Sequence, residues 1–212
     1  MEHDFWHQRW AEGRIGFHQE DINPFLKKHW AELKIASDEP VFVPLCGKSR
    51  DMLWLREQGH PVVGVELSDA ACEAFFAEND VEPERKSFGG YVAREVDGIR
   101  VLCGDFFVLN SELIRESRAV FDRAALVALP PGMRRDYAVY LQQLLSKGSK
   151  VLLVTLEFEG ESGPPFSVSS EEVEQLYGER FSIRCLERFE CEDPRDAGRS
   201  EVVWLLEDKA EE

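Results

Sequence analysis

The stretch Val41-Phe42-Val43-Pro44-Leu45-Cys46-Gly47-Lys48 is followed, after a helical interval, by Pro61-Val62-Val63-Gly64-Val65-Glu66. Together they read as a strand, a glycine turn, a helix and a second strand that ends in a carboxylate. This is the nucleoside-binding half of an open α/β sheet, where an acid at the tip of the second strand accepts hydrogen bonds from a ribose diol. The turn narrows the choice of nucleoside. A dinucleotide needs backbone close to its pyrophosphate, hence three glycines as G-x-G-x-x-G. Here Gly47 stands alone and Pro44 removes one backbone donor, so the pattern predicts a cofactor with a ribose but no phosphate at the turn.

S-adenosylmethionine meets that description, because its adenosine carries a sulfonium amino acid where a dinucleotide carries phosphates. Outward from the turn, apolar runs alternate with amphipathic stretches: helix 49–58, helix 69–79, strand 99–103, strand 119–122, helix 132–145 and strand 150–156. Such alternation predicts parallel strands joined by helical crossovers. Ser68 before Asp69, and Ser169 or Ser170 before Glu171 and Glu172, are N-caps followed by first-turn acids, and Gly148 ends a helix. Residues 181–186 and 202–206, joined by a short polar link, predict a closing antiparallel pair. Residues 82–98, with Gly89, Gly90 and Gly98, read as an insertion or edge feature with a small extra strand over 91–96. Residues 3–35 mix Phe5, Trp6, Trp10, Phe17 and Trp30 with charges at helical spacing, broken by Gly13, Gly16 and Pro24, which predicts two short helices.

Composition bounds the function. At 212 residues the chain fits one domain, 1–212, with a sizeable core. A formal charge of −16 with no concentrated basic stretch argues against a nucleic-acid partner and for a small-molecule substrate. Cys46, Cys72, Cys103, Cys185 and Cys191 are odd in number, contain no C-x-x-C pair and have no zinc-like spacing, so reduced thiols and no metal are expected. The acidic start Met1-Glu2-His3-Asp4 and the absence of any 18-residue apolar run predict no membrane partner and a soluble, cytoplasmic protein, expected to be a monomer.

Three side chains stand at the carboxyl ends of the predicted strands, where open α/β sheets bind ligands. Glu66 is read as the ribose acceptor rather than a solvated acid before the Ser68 cap. Asp105 either accepts from an adenine amino group or caps the next short helix. Arg123 either faces a carboxylate or anionic substrate or pairs with Asp122 or another acid. Among His3, His7, His18, His29 and His60 none has a partner motif, and His18, next to Phe17, either approaches the acceptor or, as the favoured reading, is a surface or packing residue.

Trp6 and Trp10, Gly16-Phe17-His18-Gln19, Val43 to Ser49, Gly59 to Glu66, Asp122 to Leu129 and Gly163-Pro164-Pro165-Phe166 together resemble the thiopurine S-methyltransferase family, in its bacterial form, along nearly the whole chain. The resemblance implies a Rossmann-like class I methyltransferase: a seven-stranded, mostly parallel sheet with an antiparallel last strand, helices on both faces, and a helical N-terminal lid (1–36) over an α/β core (37–212). It implies that Trp10, Leu45, Glu66, Gly104, Asp105 and Arg123 bind S-adenosylmethionine, which leaves as S-adenosylhomocysteine. Phe17, Phe166, Arg123 and Arg195 are implied to face the acceptor, with Arg199 as the alternative to Arg195. No catalytic base is expected, since a sulfur anion is a strong nucleophile and positioning by Arg123 and Arg195 suffices. The implied activity is methyl transfer to thiopurines and other aromatic or heterocyclic thiols, extending to selenium and tellurium compounds in detoxification. Alternatives are a halide or aliphatic-thiol methyltransferase of the same fold, a nucleotide-dependent oxidoreductase, and a non-catalytic S-adenosylmethionine-binding protein. The absence of Asn/Asp-Pro-Pro-Tyr after the fourth strand argues against an amino-group acceptor.

Overall fold

The computed structural model describes residues 3–160, 163–191 and 198–209. Its strands are Val41–Val43 (β1), Val62–Glu66 (β2), Glu84–Phe88 (β3), Tyr91–Val96 (β4), Ile99–Cys103 (β5), Ala119–Arg123 (β6), Lys150–Glu157 (β7), Phe181–Glu190 (β8) and Ser200–Asp208 (β9). Its α-helices are His3–Ala11 (α1), Pro24–His29 (α2), Asp51–Glu57 (α3), Asp69–Ala77 (α4), Pro131–Leu144 (α5) and Ser170–Tyr177 (α6). The strands form one sheet in the order β3-β4-β5-β2-β1-β6-β7-β9-β8. From β5 to β7 the pairing is parallel, and β9 runs antiparallel to both β7 and β8. The chain moves one way from β1 through β2 to β5, then crosses back to β6 and β7. The order therefore reverses at the carboxyl ends of β1 and β6, which is where such sheets open a crevice for ligand.

The inner strands read as nearly continuous apolar runs because both faces are covered. Phe42, Val65, Leu102, Val120, Val151 and Leu153 pack on α5 and α6 through Tyr137, Leu141, Val173 and Tyr177. The alternate residues Val41, Val43, Val62, Val101, Phe121 and Leu152 pack on α2, α3 and α4 through Phe25, Leu26, Met52, Leu55, Phe75 and Phe76. The helix starts follow their local chemistry: Ser68 and Ser169 cap α4 and α6, and Asn23 caps α2 ahead of Pro24.

The sheet has nine strands instead of the expected seven. Strand β4 is the anticipated extra strand, but its partner β3 was not anticipated, because all five of its residues are exposed and Glu84-Arg85-Lys86-Ser87-Phe88 carries no apolar alternation. The available signal was the dipeptide between them: Gly89 (φ +57°) and Gly90 (φ +89°) form the two-residue connection of a tight hairpin, which needs positive φ at both positions. Strand β1 ends at Val43. Pro44 cannot donate to the ladder, and Leu45 turns into the left-handed region at φ +44°.

Candidate active site

The turn after β1 is bonded onto the tip of β2. The Cys46 N–H donates to the Val65 carbonyl (3.0 Å), and the Gly47 N–H donates to Glu66 Oε2 (2.9 Å). The Ser68 N–H donates to Glu66 Oε1 (2.7 Å), so each carboxylate oxygen holds one backbone donor. Glu66 is only 6% exposed. Burial pushes its carboxyl up to about 7, against the pull of the Ser68, Gly47 and Leu67 N–H groups. Strand β6 ends beside it. Asp122, fully buried, accepts from the Tyr137 hydroxyl (2.7 Å) and the Leu126 N–H (3.2 Å), and burial raises it to about 6. These bonds hold the turn that presents Arg123 and Ala124, the latter at φ +65°.

The N-terminal segment covers both turns. Arg123 Nη1 donates to the Phe17 carbonyl (2.8 Å), and the Asn23 N–H donates to the buried Asp51 carboxylate (2.7 Å). The Trp10 ring lies against Gly47, where a Cβ would come within 3.2 Å of it. Phe17 meets the edges of Trp6 and Trp10 at centroid distances of 5.8 and 5.6 Å. Between these elements is a cavity of about 610 Å³, large enough for two small ligands. Its walls carry Glu66, Asp105, Lys48, Arg9, Arg123 and Arg199 among apolar side chains that include Val127, Leu129, Met133, Val154 and Leu156.

The thiopurine S-methyltransferase family profile matches residues 1–211. A protein of Nitrosospira multiformis named thiopurine S-methyltransferase is 49% identical, with 97% of this chain and 98% of that protein covered. The chain belongs to the thiopurine S-methyltransferase family. A Pseudomonas aeruginosa protein of the same name is 48% identical over 89% of this chain and 87% of its own. Among solved structures, a Burkholderia thailandensis 1,6-didemethyltoxoflavin-N1-methyltransferase with bound S-adenosylhomocysteine superposes with a TM-score of 0.67 at 16% identity, covering 98% of this chain and 87% of that one. That similarity shows the class I methyltransferase fold. The family's members are S-adenosylmethionine-dependent methyltransferases, and this chain is one.

Six of the residues expected at the family's site, Trp10, Phe17, Leu45, Glu66, Asp105 and Arg123, line the one cavity. Asp105 also caps the 3-10 turn Phe106–Val108 through its Oδ1 (2.9 Å from the Phe107 N–H), so its two sequence readings coexist. Arg123 pairs with no acid among the described residues; the alternative of an ion pair with Asp122 is not realised. Burial pulls the Arg123 guanidinium down from its ordinary value while Asp51 and Glu201 pull it up, and it stays charged at any working pH. Phe166 and Gly104 stand outside the lining set. The Phe166 ring lies against Gly163, and its N–H donates to the Val127 carbonyl (2.7 Å). Arg195 lies outside the described residues, whereas Arg199 lines the cavity and stacks on Phe158 at 4.8 Å.

Sequence reasoning missed Arg9 and Ala124. Trp6, Arg9 and Trp10 stand at i, i+3 and i+4 on α1, a spacing that puts all three on one face and could have found Arg9. Nothing in sequence marks Ala124. Its left-handed backbone, like that of Leu45, costs about 1–2 kcal/mol, and strain of this kind concentrates at ligand sites. Of the histidines, His60 accepts from Trp30 Nε1 (3.0 Å) and its Nδ1 faces the Glu39 carbonyl (2.9 Å), while His29 bonds Glu187 (2.6 Å). His18 lines the cavity, with its imidazole pulled below the ordinary value by burial and then by Lys48. Among the described residues no cluster of His, Cys, Asp and Glu is placed to hold a metal, and no helix is long and apolar enough to cross a membrane.

Gly104 supports the site from behind. A Cβ there would sit 2.5 Å from the Tyr91 ring, whose hydroxyl is bonded to the Asp105 carbonyl (2.6 Å) and whose body is buried. Gly104→Ala is expected to destabilise the protein by about 1–3 kcal/mol through overpacking. Urea unfolding of the variant measures this, and an unchanged midpoint would mean that Tyr91 is free to move.

Proposed function

We propose that the chain transfers the methyl group of S-adenosylmethionine to the sulfur of thiopurines and other aromatic or heterocyclic thiols. The observation that carries this reading is Arg123, a cation with no ion pair among the described residues, in a cavity that also offers the apolar side chains of Val127, Leu129, Met133, Val154 and Leu156. A guanidinium that Asp51 and Glu201 act on without forming an ion pair favours an anion, and apolar side chains favour a flat ring. The thiolate of a planar heterocycle satisfies both.

The residues present fit the cofactor. A carboxylate has about four acceptor positions, and the two backbone N–H groups on Glu66 leave room for a ribose diol. The turn carries one glycine and lies under the Trp10 ring, in line with an adenosine that ends in an amino acid. Trp10, Leu45, Glu66 and Asp105 would hold the cofactor, with α1 and the following loop as its lid. When bound, S-adenosylmethionine supplies a methyl group on a positively charged sulfur. The chain's own task is to bring the acceptor anion in line and keep it ionised, which Arg123 does with Arg199 or Arg195. Phe17 offers its ring to the heterocycle, and Phe166 steadies the Pro164-Pro165 wall beside it. The same displacement extends to selenium and tellurium nucleophiles, which suits a monomeric detoxification enzyme of the cytoplasm acting on small molecules.

The test is an acceptor panel with the methyl group of S-adenosylmethionine labelled with carbon-13. The expected result is an S-methyl signal from 6-mercaptopurine and thiophenols and none from aniline or phenol. A higher kcat/KM for iodide or aliphatic thiols would overturn the assignment in favour of the halide or aliphatic-thiol reading, and binding without transfer would favour a non-catalytic role.

A further inference from the structure

We propose that Arg9 is a second anion-holding residue of this cavity, taking either the carboxylate of the bound cofactor or the anionic group of the acceptor. Arg9 lies on the cavity-facing side of α1, beside the Trp10 ring that covers Gly47. Its guanidinium stands over the Phe5 ring at 4.9 Å, and Nη1 reaches the Arg14 carbonyl at 3.3 Å. Its Nε is buried and has no hydrogen-bond partner. Among the described residues no carboxylate pairs with it, although the chain has 41 Asp and Glu against 25 Lys and Arg. Elsewhere the buried or half-buried arginines do find acids: Arg94 with Asp69, Arg134 with Glu172, Arg180 with Asp208. Lys48, another cation of this wall, is already neutralised by Glu78 at 2.6 Å.

A buried donor on a charged group that lacks an acceptor carries the full penalty of its lost hydration, and a bound anion removes that penalty. Arg9 and Arg123 are thus two guanidiniums without acid partners in one cavity, and the two ligands of the proposed reaction each bring one anionic group. The inference rests on both ligands occupying this cavity. Arg9 acts by binding and has no part in bond making.

The experiment uses Arg9→Gln and Arg9→Lys, the latter keeping the charge without the Nε donor. Calorimetry gives Kd for S-adenosylhomocysteine and for 5′-methylthioadenosine, which lacks the amino-acid end. Competition against 6-mercaptopurine turnover gives inhibition constants for benzoate and its uncharged match benzamide. A ten- to hundredfold loss for S-adenosylhomocysteine with methylthioadenosine unchanged assigns the cofactor carboxylate. The same loss for benzoate with benzamide unchanged assigns the acceptor anion. Equal effects on charged and uncharged partners, or none, overturn the proposal, and Arg9→Lys decides the matter if thermal unfolding shows Arg9→Gln misfolded. Failure of wild-type protein to bind S-adenosylhomocysteine or to methylate the thiol would instead reject the reading on which the inference rests.

Discussion

Arg123→Ala is expected to lower kcat/KM for 6-mercaptopurine by about a hundred- to a thousandfold, the scale of losing one preorganised charged donor from a shielded site. The guanidinium sits at the end of β6, its turn held by the bonds of Asp122 to Tyr137 and Leu126, so its position is fixed before ligand arrives. Part of the loss should fall on KM, because Nη1 also donates to the Phe17 carbonyl and its removal loosens the segment over the cavity. Arg123→Lys should restore only part of the activity, since an ammonium cannot make the forked contacts of a guanidinium. Steady-state kinetics on the two variants measure both effects, and a kcat/KM within threefold of wild type for Arg123→Ala would remove Arg123 from the acceptor site.

Glu66→Gln should weaken binding and change how stability depends on pH. Without the charged acceptor the ribose diol loses about 1–3 kcal/mol, a ten- to hundredfold weaker cofactor complex. The unliganded protein, by contrast, should gain stability relative to wild type as pH rises. The folded Glu66 titrates at about 7 against an ordinary value of 4.5, so the folded state holds its proton more tightly than the unfolded one. Its contribution is therefore fully present below pH 4.5 and is lost as pH rises to 7. Above pH 7 the buried carboxylate costs about 3 kcal/mol, which Gln does not incur, but the Gln NH2 cannot accept from the Gly47 or Ser68 N–H that it meets and adds a pH-independent cost of about 1–3 kcal/mol. Thermal unfolding should show the melting temperature of the variant, relative to wild type, rising by about 5–10 °C between pH 4 and pH 8. A difference that stays the same from pH 4 to pH 8 would mean that Glu66 is better solvated than its 6% exposure indicates.

Where sequence reasoning succeeded, the residues had a strong local reason to be where they are. Parallel strands buried on both faces leave long apolar runs, and a lone glycine between two of them leaves few alternatives, so the β1 turn, Glu66 and the β6 end were all legible. Trp10 and Leu45 came from the family resemblance alone, since an aromatic near the N-terminus otherwise reads as core. The hairpin β3–β4 was half seen, because an exposed, charged edge strand has no hydrophobic signature and only Gly89-Gly90 marks it. Arg9 was legible as a neighbour of Trp6 and Trp10 on one face of α1, but its lack of a partner shows only in three dimensions. Ala124 escaped because a left-handed backbone at a non-glycine residue is set by tertiary bonds.

The most direct measurement of whether the tip of β2 is the cofactor's seat is the proton count of binding. Wild-type protein at pH 7 is titrated with S-adenosylhomocysteine in buffers of different ionisation enthalpy, alongside Glu66→Gln. Because the empty site holds Glu66 near half protonation and the ribose diol binds its charged form, wild type should release about half a proton per ligand bound. Glu66→Gln should release none and bind ten- to a hundredfold more weakly. Equal affinity and equal proton release in the two proteins would contradict the account.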